Sequence, residues 1–180
     1  MTAVVDDRAL RLAETHRAQT RAEADATAAE VVAAFDALGA RFVAIGARTI
    51  GVANARATVQ GVRYVVTSAV LVHGQVDPTT LHIGPMNDLD RLARACRTAA
   101  EIGRASVERL ARSEPLQAGQ RAVSAAMRSA RMGWTRLAGA GACPICTALA
   151  DGTVLSASTP MVVPHPSCSC SQLPTEVPRR

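Results

Sequence analysis

Between Cys143 and Cys170 the chain reads Cys143-Pro144-Ile145-Cys146, then eighteen residues, then His165-Pro166-Ser167-Cys168-Ser169-Cys170, a stretch that holds four of its five cysteines. Thiolates and imidazoles are the ligands Zn²⁺ prefers, and two ligand pairs joined by a short loop can close a tetrahedron around one ion. Pro144 and Pro166 fix φ in the turns that present the two pairs. The expected ligands are Cys143, Cys146, His165 and one of Cys168 or Cys170. Spacing leaves that last choice open, because residues two apart in an extended segment point to the same side. Two other uses of the thiols compete. A Cys-x-x-Cys redox dithiol should open a helix after a strand, yet Gly139-Ala140-Gly141-Ala142 precedes this one. A disulfide framework belongs to exported chains, and Met1–Leu10, with two aspartates and no apolar run, does not read as an export signal.

A clip of this kind suits the rest of the chain. Apolar residues make up 48% of the sequence but aromatics only 2%, so much of the apolar content is alanine. Alanine favours helix strongly and buries little surface. The expected fold is mainly α: long antiparallel helices in close contact, followed by a small zinc-pinned β-hairpin at the C-terminus. The expected divisions are a long helical region over 1–86, a basic two-helix region over 87–138, the Cys/His knuckle with its hairpin over 139–174, and a tail over 175–180.

Within the first region, Val31, Phe35, Leu38, Phe42, Ile45, Thr49 and Val52 alternate four and three apart, the spacing of a buried helical stripe. The first 28 residues lack such large side chains, which predicts an exposed helix or one awaiting a partner. Glycines at 39, 46, 51 and 61 weaken the region, and the break between two helices is expected near Gly39 or Gly51. Val62–Val72 is valine-rich and is read as helix rather than strand. Its apolar run is too short for a membrane span. His73 and His82 flank the next loop and, without a partner motif, are read as ordinary solvated histidines.

Asn87 is expected to cap a helix whose inner stripe runs Leu89, Leu92, Cys96, Ala99, Ile102, Ser106 and Leu110. Cys96 is read as a small buried hydrophobe. Pro115 is expected to end that helix and start another to about Leu137. The second helix carries Arg121, Arg128, Arg131 and Arg136, tentative contacts for nucleic acid or an acidic partner. Trp134, at its end, is expected to cover the metal site. All positive charge is arginine, and the surplus of +5 falls between residues 88 and 136. Asp151-Gly152 signals a tight turn ahead of a short β-prone piece, with Ser169–Leu173 expected to pair back on it.

Arg131 and Trp134 followed by Cys143-Pro144-x-Cys146, Leu149-x-Asp151-Gly152, His165-Pro166-x-Cys168-x-Cys170 and Pro174 resembles the C-terminal signature of the Mu-F-like minor head proteins of tailed bacteriophages. The match spans roughly residues 115 to 174, and the lysine-free, alanine-rich composition looks like an actinobacterial phage or prophage. The resemblance implies a non-catalytic minor capsid protein of head morphogenesis, associated with the portal inside the head and present in the host cytoplasm during assembly. Its implied partners are portal, coat or scaffold protein, with DNA at ejection as an alternative and neither membrane nor small-molecule substrate. Catalysis is not expected, since a hydrolytic zinc needs a general base beside it and no glutamate lies between Glu114 and Glu176.

Overall fold

In a computed structural model, the protein is described over residues 7–74, 88–139, 142–156, 158–159 and 170–176. Helix α1 spans Asp7–Leu38, α2 Val43–His73, α3 Leu89–Ile102 and α4 Arg104–Ser129. Strand β1 (Gly133–Leu137), the single-turn helix α5 (Pro144–Ala148) and strand β2 (Ser171–Thr175) follow. The helices form one bundle in which α1, α2 and α4 pack on one another and α3 closes the side made by α2 and α4.

The reversal between α1 and α2 falls at Gly39, whose φ of +56° begins a 3₁₀ turn over Gly39–Phe42. Glycine takes that left-handed backbone without a Cβ penalty. The turn also breaks the phase of the apolar stripe. Val31 and Phe42 are buried, but Ile45 and Val52, expected to continue the same face, are 50% and 46% exposed. The buried face of α2 runs instead through Ala47, Ile50, Asn54, Ala57, Tyr64, Val65 and Ser68. The valine-rich Val62–Val72 is helical.

The start of α1, expected to be exposed or waiting for a partner, is packed. Ala9, Ala13, His16, Thr20, Ala24, Thr27 and Ala28 are buried. Their three- and four-residue spacing puts them on one face, and small side chains there let α1 lie close to α2 and α4. Buried Thr20 and Thr27 satisfy their hydroxyls by donating to the carbonyls of His16 and Glu23, at 2.8 and 2.7 Å.

The break expected at Pro115 occurs earlier. Helix α3 ends at Gly103, with φ +123° and ψ 178°, a conformation that side chains resist, and α4 then runs through Pro115. The cap of α3 is Asp88, whose carboxylate accepts the Arg91 N–H at 2.8 Å; Asn87 lies outside the described residues. Pro115 removes one helical hydrogen bond, but its ring is among the most deeply buried groups. Next to it, buried Glu114 accepts both guanidinium nitrogens of Arg91 (2.8 and 2.7 Å) and the amide of Asn54 (3.2 Å), tying α2, α3 and α4 together.

Helix α4 stops at Ser129 rather than Leu137. Arg131 turns the chain with φ +54°, and Gly133–Leu137 extends as β1, antiparallel to β2 with Leu137 opposite Ser171 and Trp134 opposite Pro174. The expected hairpin partner survives only as a bridge between Leu155 and Trp134. The β-prone segment after Asp151-Gly152 and β2 both meet Trp134, so the strand hidden in the sequence was the one read as the end of a basic helix. One core cluster joins Ala13, Tyr64, Val65, Met127, Met132, Trp134 and Leu173, and a second joins Val31, Phe42, Ile50, Leu92, Cys96 and Val107. Among the described residues, no helix is long and apolar enough to cross a membrane.

Candidate metal centre

Folding brings the two ends of the cysteine motif together. Cys146 and Cys170 are buried, at 0% and 4% exposure, in a small cluster of their own with Ala142 and Cys143. Cys143 is the N-cap of α5: its extended backbone leads into Pro144 at the first helical position, and its Sγ accepts the Cys146 N–H at 3.5 Å. The same turn is closed by Thr147, whose N–H and hydroxyl both donate to the Cys143 carbonyl, at 3.0 and 3.2 Å. The Cys146 amide N–H, pointing at the sulfur, favours the thiolate and holds the half-buried Cys143 thiol below its ordinary value. None of the three is joined in a disulfide.

Cys170 reaches the cluster because β2 is fastened to the bundle. Gln120 of α4 donates its carboxamide N–H to the Cys170 carbonyl at 3.2 Å, and Ser124, one helical turn on, donates to Gln172 Oε1 at 2.8 Å. From α2, the Tyr64 hydroxyl donates to the Gln172 carbonyl at 2.8 Å. Tyr64 stacks on His16 of α1, ring centroids 4.4 Å apart and 5° from parallel. Burial lowers the His16 pKa to about 4, so its ring is neutral at pH 7. Burial likewise pushes the Tyr64 hydroxyl up, which keeps it a proton donor. His16, Tyr64, Gln120 and Gln172 line a cavity of about 30 Å³ that also touches Arg17, Thr20 and Cys170, room for a water-sized guest.

His165 and Cys168 lie outside the described residues, as do His82 and the segment between Pro160 and Ser169. Among the described residues, no three His, Cys, Asp or Glu side chains converge closely enough to hold an ion by themselves. By type the donors are ones Zn²⁺ takes: two thiols from a capped turn and a third from a strand entry, all soft ligands.

Trp134 is placed differently from the expected cover of this cluster. It is 1% exposed within the bundle core, and its Nε1–H donates to the Thr159 carbonyl at 3.2 Å. The four arginines also separate. Arg121 and Arg128 are exposed on α4 and Arg131 is exposed at its end, whereas Arg136 is buried in β1 opposite Gln172. Asp151 is an exposed turn residue whose carboxylate accepts the Thr153 N–H at 2.9 Å, a bond that holds it ionised. Cys96 is buried in the second core cluster, and burial, with the nearby Glu114 charge, pushes its thiol up to about 11.

Sequence reasoning missed Gln120, Tyr64 and Gln172. A trace existed for Gln120, a polar residue at an inner position of the α4 stripe. Compared with known proteins, the chain matches no family model, no curated protein and no solved structure.

Proposed function

We propose that this chain is a non-catalytic head-morphogenesis protein of a tailed bacteriophage, a helical bundle whose C-terminal knuckle is closed by a structural zinc ion. Its working surface is then the bundle, which meets portal, coat or scaffold protein inside the head. The observation that supports this reading is that Cys143, Cys146 and Cys170, from the two ends of the motif, pack in one small cluster. The sequence motif adds His165, with Cys168 as the alternative to Cys170. A thin alanine-rich core gains from such a clip, since structural zinc contributes about 10–16 kcal/mol of apparent binding energy in small domains. Among the described residues, Asp151 is engaged in its turn, His16 is stacked on Tyr64 and Glu114 is bound by Arg91.

Zinc per chain, counted by elemental mass spectrometry on protein purified without added metal, is expected to be about one, and chelation is expected to leave the helical circular dichroism largely intact. That second expectation follows from the two helical core clusters, neither of which contains a knuckle cysteine. The partner is tested by mixing the zinc-loaded protein with a tailed-phage portal protein and measuring co-sedimentation. Absence of bound metal, or of portal, coat and scaffold binding by the loaded protein, refutes the corresponding half of the proposal. Exposed Arg121 and Arg128, two helical turns apart on α4, favour DNA as the second reading. It requires an affinity that falls steeply between about 50 and 200 mM salt.

A further inference from the structure

We propose that Cys143 and Cys146 form a thiol–disulfide redox site, with Cys143 the attacking thiolate, Cys146 the resolving thiol and a low-molecular-weight disulfide of the glutathione type the co-reactant. The sequence argues against such a pair, because a redox Cys-x-x-Cys opens a helix after a strand and the residues ahead of this one read as helix and loop. The fold supplies that setting. Strand β1 ends at Leu137, and α5 opens with Cys143 as its cap and Pro144 at its first position, although β1 and β2 run antiparallel rather than as a parallel crossover.

The two sulfurs are placed unequally. Cys146 is fully buried and Cys143 only half-buried, so an oxidant arriving from solvent meets Cys143 first. The Cys143 sulfur accepts the Cys146 N–H at 3.5 Å and is hydrogen-bonded by the Cys146 side chain as well, which sets the resolving thiol against the attacking one. Residues three apart on a turn stand about 5–6 Å apart at Cβ, and a disulfide brings them to about 4 Å, a movement confined to one helical turn. Cys96, buried in a separate core cluster, is an internal control.

The Cys143 thiolate attacks one sulfur of the co-reactant, forming a mixed disulfide and expelling a thiolate. Cys146, deprotonated, then attacks the Cys143 sulfur, and the second thiolate leaves. The two protons lost by the protein end on the two released thiols, and the two electrons lost by the protein reduce the co-reactant. Once joined, these sulfurs are no longer thiolate donors, so oxidation and metal binding exclude one another; the redox step itself requires no metal.

The test uses unmutated full-length protein, freed of metal by chelation, equilibrated with reduced and oxidised glutathione, quenched in acid and alkylated. Cleavage after Leu155 separates the fragment carrying Cys143 and Cys146 from the one carrying Cys168 and Cys170. Joint loss of the two thiols of the first fragment in a single two-electron transition is expected, with Cys96 still alkylated. Retention of both thiols at every glutathione ratio, a persistent glutathione adduct, or a disulfide to Cys168 or Cys170 overturns the proposal. Cys146→Ser is expected to stall as a glutathione adduct on Cys143, and Cys143→Ser to react at least about tenfold more slowly than the parent. Equal rates overturn the assignment of roles. One equivalent of zinc added before oxidation scores the metal reading separately: a protein that oxidises but takes up no zinc keeps this inference and loses the metal, and one that binds zinc but never oxidises after chelation does the reverse.

Discussion

Helices α2 and α4 lie close together where Gly61 faces Gly119, and the two glycines predict opposite outcomes for the same substitution. A Cβ built on Gly61 lies 2.8 Å from the Gly119 carbonyl oxygen, 3.2 Å from Val123 Cγ2 and 3.3 Å from Ala122 Cβ. The carbonyl is helical backbone and cannot swing aside, so reaching an ordinary contact of 3.4 Å moves one helix away from the other. Overpacking of this kind costs about 1–3 kcal/mol, against about 1 kcal/mol gained from replacing a helical glycine by alanine. Gly61→Ala should therefore destabilise by roughly 1 kcal/mol. At Gly119 the nearest atoms to a Cβ are the Ala57 carbonyl oxygen and Thr20 Cγ2, both at 3.5 Å, which is normal contact. Gly119→Ala keeps the propensity gain without the clash and should stabilise by up to about 1 kcal/mol. Urea unfolding followed by far-ultraviolet circular dichroism and by the buried Trp134 measures both. The shifts correspond to about 2–4 °C in melting temperature for a chain of this size. A stabilised Gly61→Ala, or two variants moving in the same direction, would refute the claimed helix approach.

Two further predictions concern acid. Glu114→Gln keeps the shape but removes the charge shared with Arg91 and Asn54; since the Arg91 side chain is 44% exposed and water can replace its partner, the loss should be about 2 kcal/mol rather than the 3–5 kcal/mol of a fully buried pair. Burial alone would raise the Glu114 pKa, but the hydrogen bonds and charge of Arg91, with help from Asn54, bring it below the ordinary 4.5. Its stabilising contribution is therefore complete above pH 4.5 and disappears as pH falls further, a limb that Glu114→Gln should lack. His16 acts at higher pH. Its pKa falls from 6.5 in the unfolded chain to about 4 in the fold, so the unfolded state binds the extra proton and stability drops between those values, by at most roughly 3 kcal/mol. His16→Phe, which retains a ring against Tyr64, should flatten that interval. Urea midpoints of metal-free parent and variants at pH 7.5, 5.5, 4.5 and about 3 separate the two, and parallel curves for His16→Phe and parent would show that His16 is not buried neutral.

The helices were legible wherever one face carried the signal alone. Leu92, Cys96 and Ala99 lie inward as their spacing indicates, but Leu89 and Ile102, read onto the same stripe, are 53% and 74% exposed at the two ends of α3. The stripe from Val31 to Val52 misled because its spacing runs straight through Gly39, where the chain reverses. Periodicity records faces within one helix and has no term for a turn that resets the phase. Pro115 and Gly103 show the same competition. Proline is the stronger breaker by propensity, but burial of its ring within the bundle keeps α4 continuous, and glycine's backbone freedom places the break at Gly103, inside the segment expected to be unbroken. β1 was hidden because Gly133–Leu137 keeps helical spacing as well as strand alternation; its partner, over thirty residues away, decides between them. At the candidate metal centre the cysteines were legible from type and spacing. Gln120, Ser124 and Tyr64 were not, since they act only through contacts with β2.

These contacts make β2 the point where knuckle and bundle share a structure. Its residues are bonded by Tyr64 of α2 and by Gln120 and Ser124 of α4, while Arg17 of α1 donates to the Ala138 carbonyl just past β1, at 3.2 Å. Every helix of the central trio thus touches the small sheet, and Leu173 and Trp134 carry the sheet into the main core cluster. If the knuckle holds zinc as proposed, binding beside β2 stabilises its position, and by linkage the same free energy favours the helix arrangement that β2 fits. The helices keep their own clusters and can form without metal, but their relative placement at the knuckle end is tied to whether the site is closed. For a protein proposed to present a bundle face to a head partner, that places the metal's influence on the geometry of the partner surface rather than on the existence of the fold.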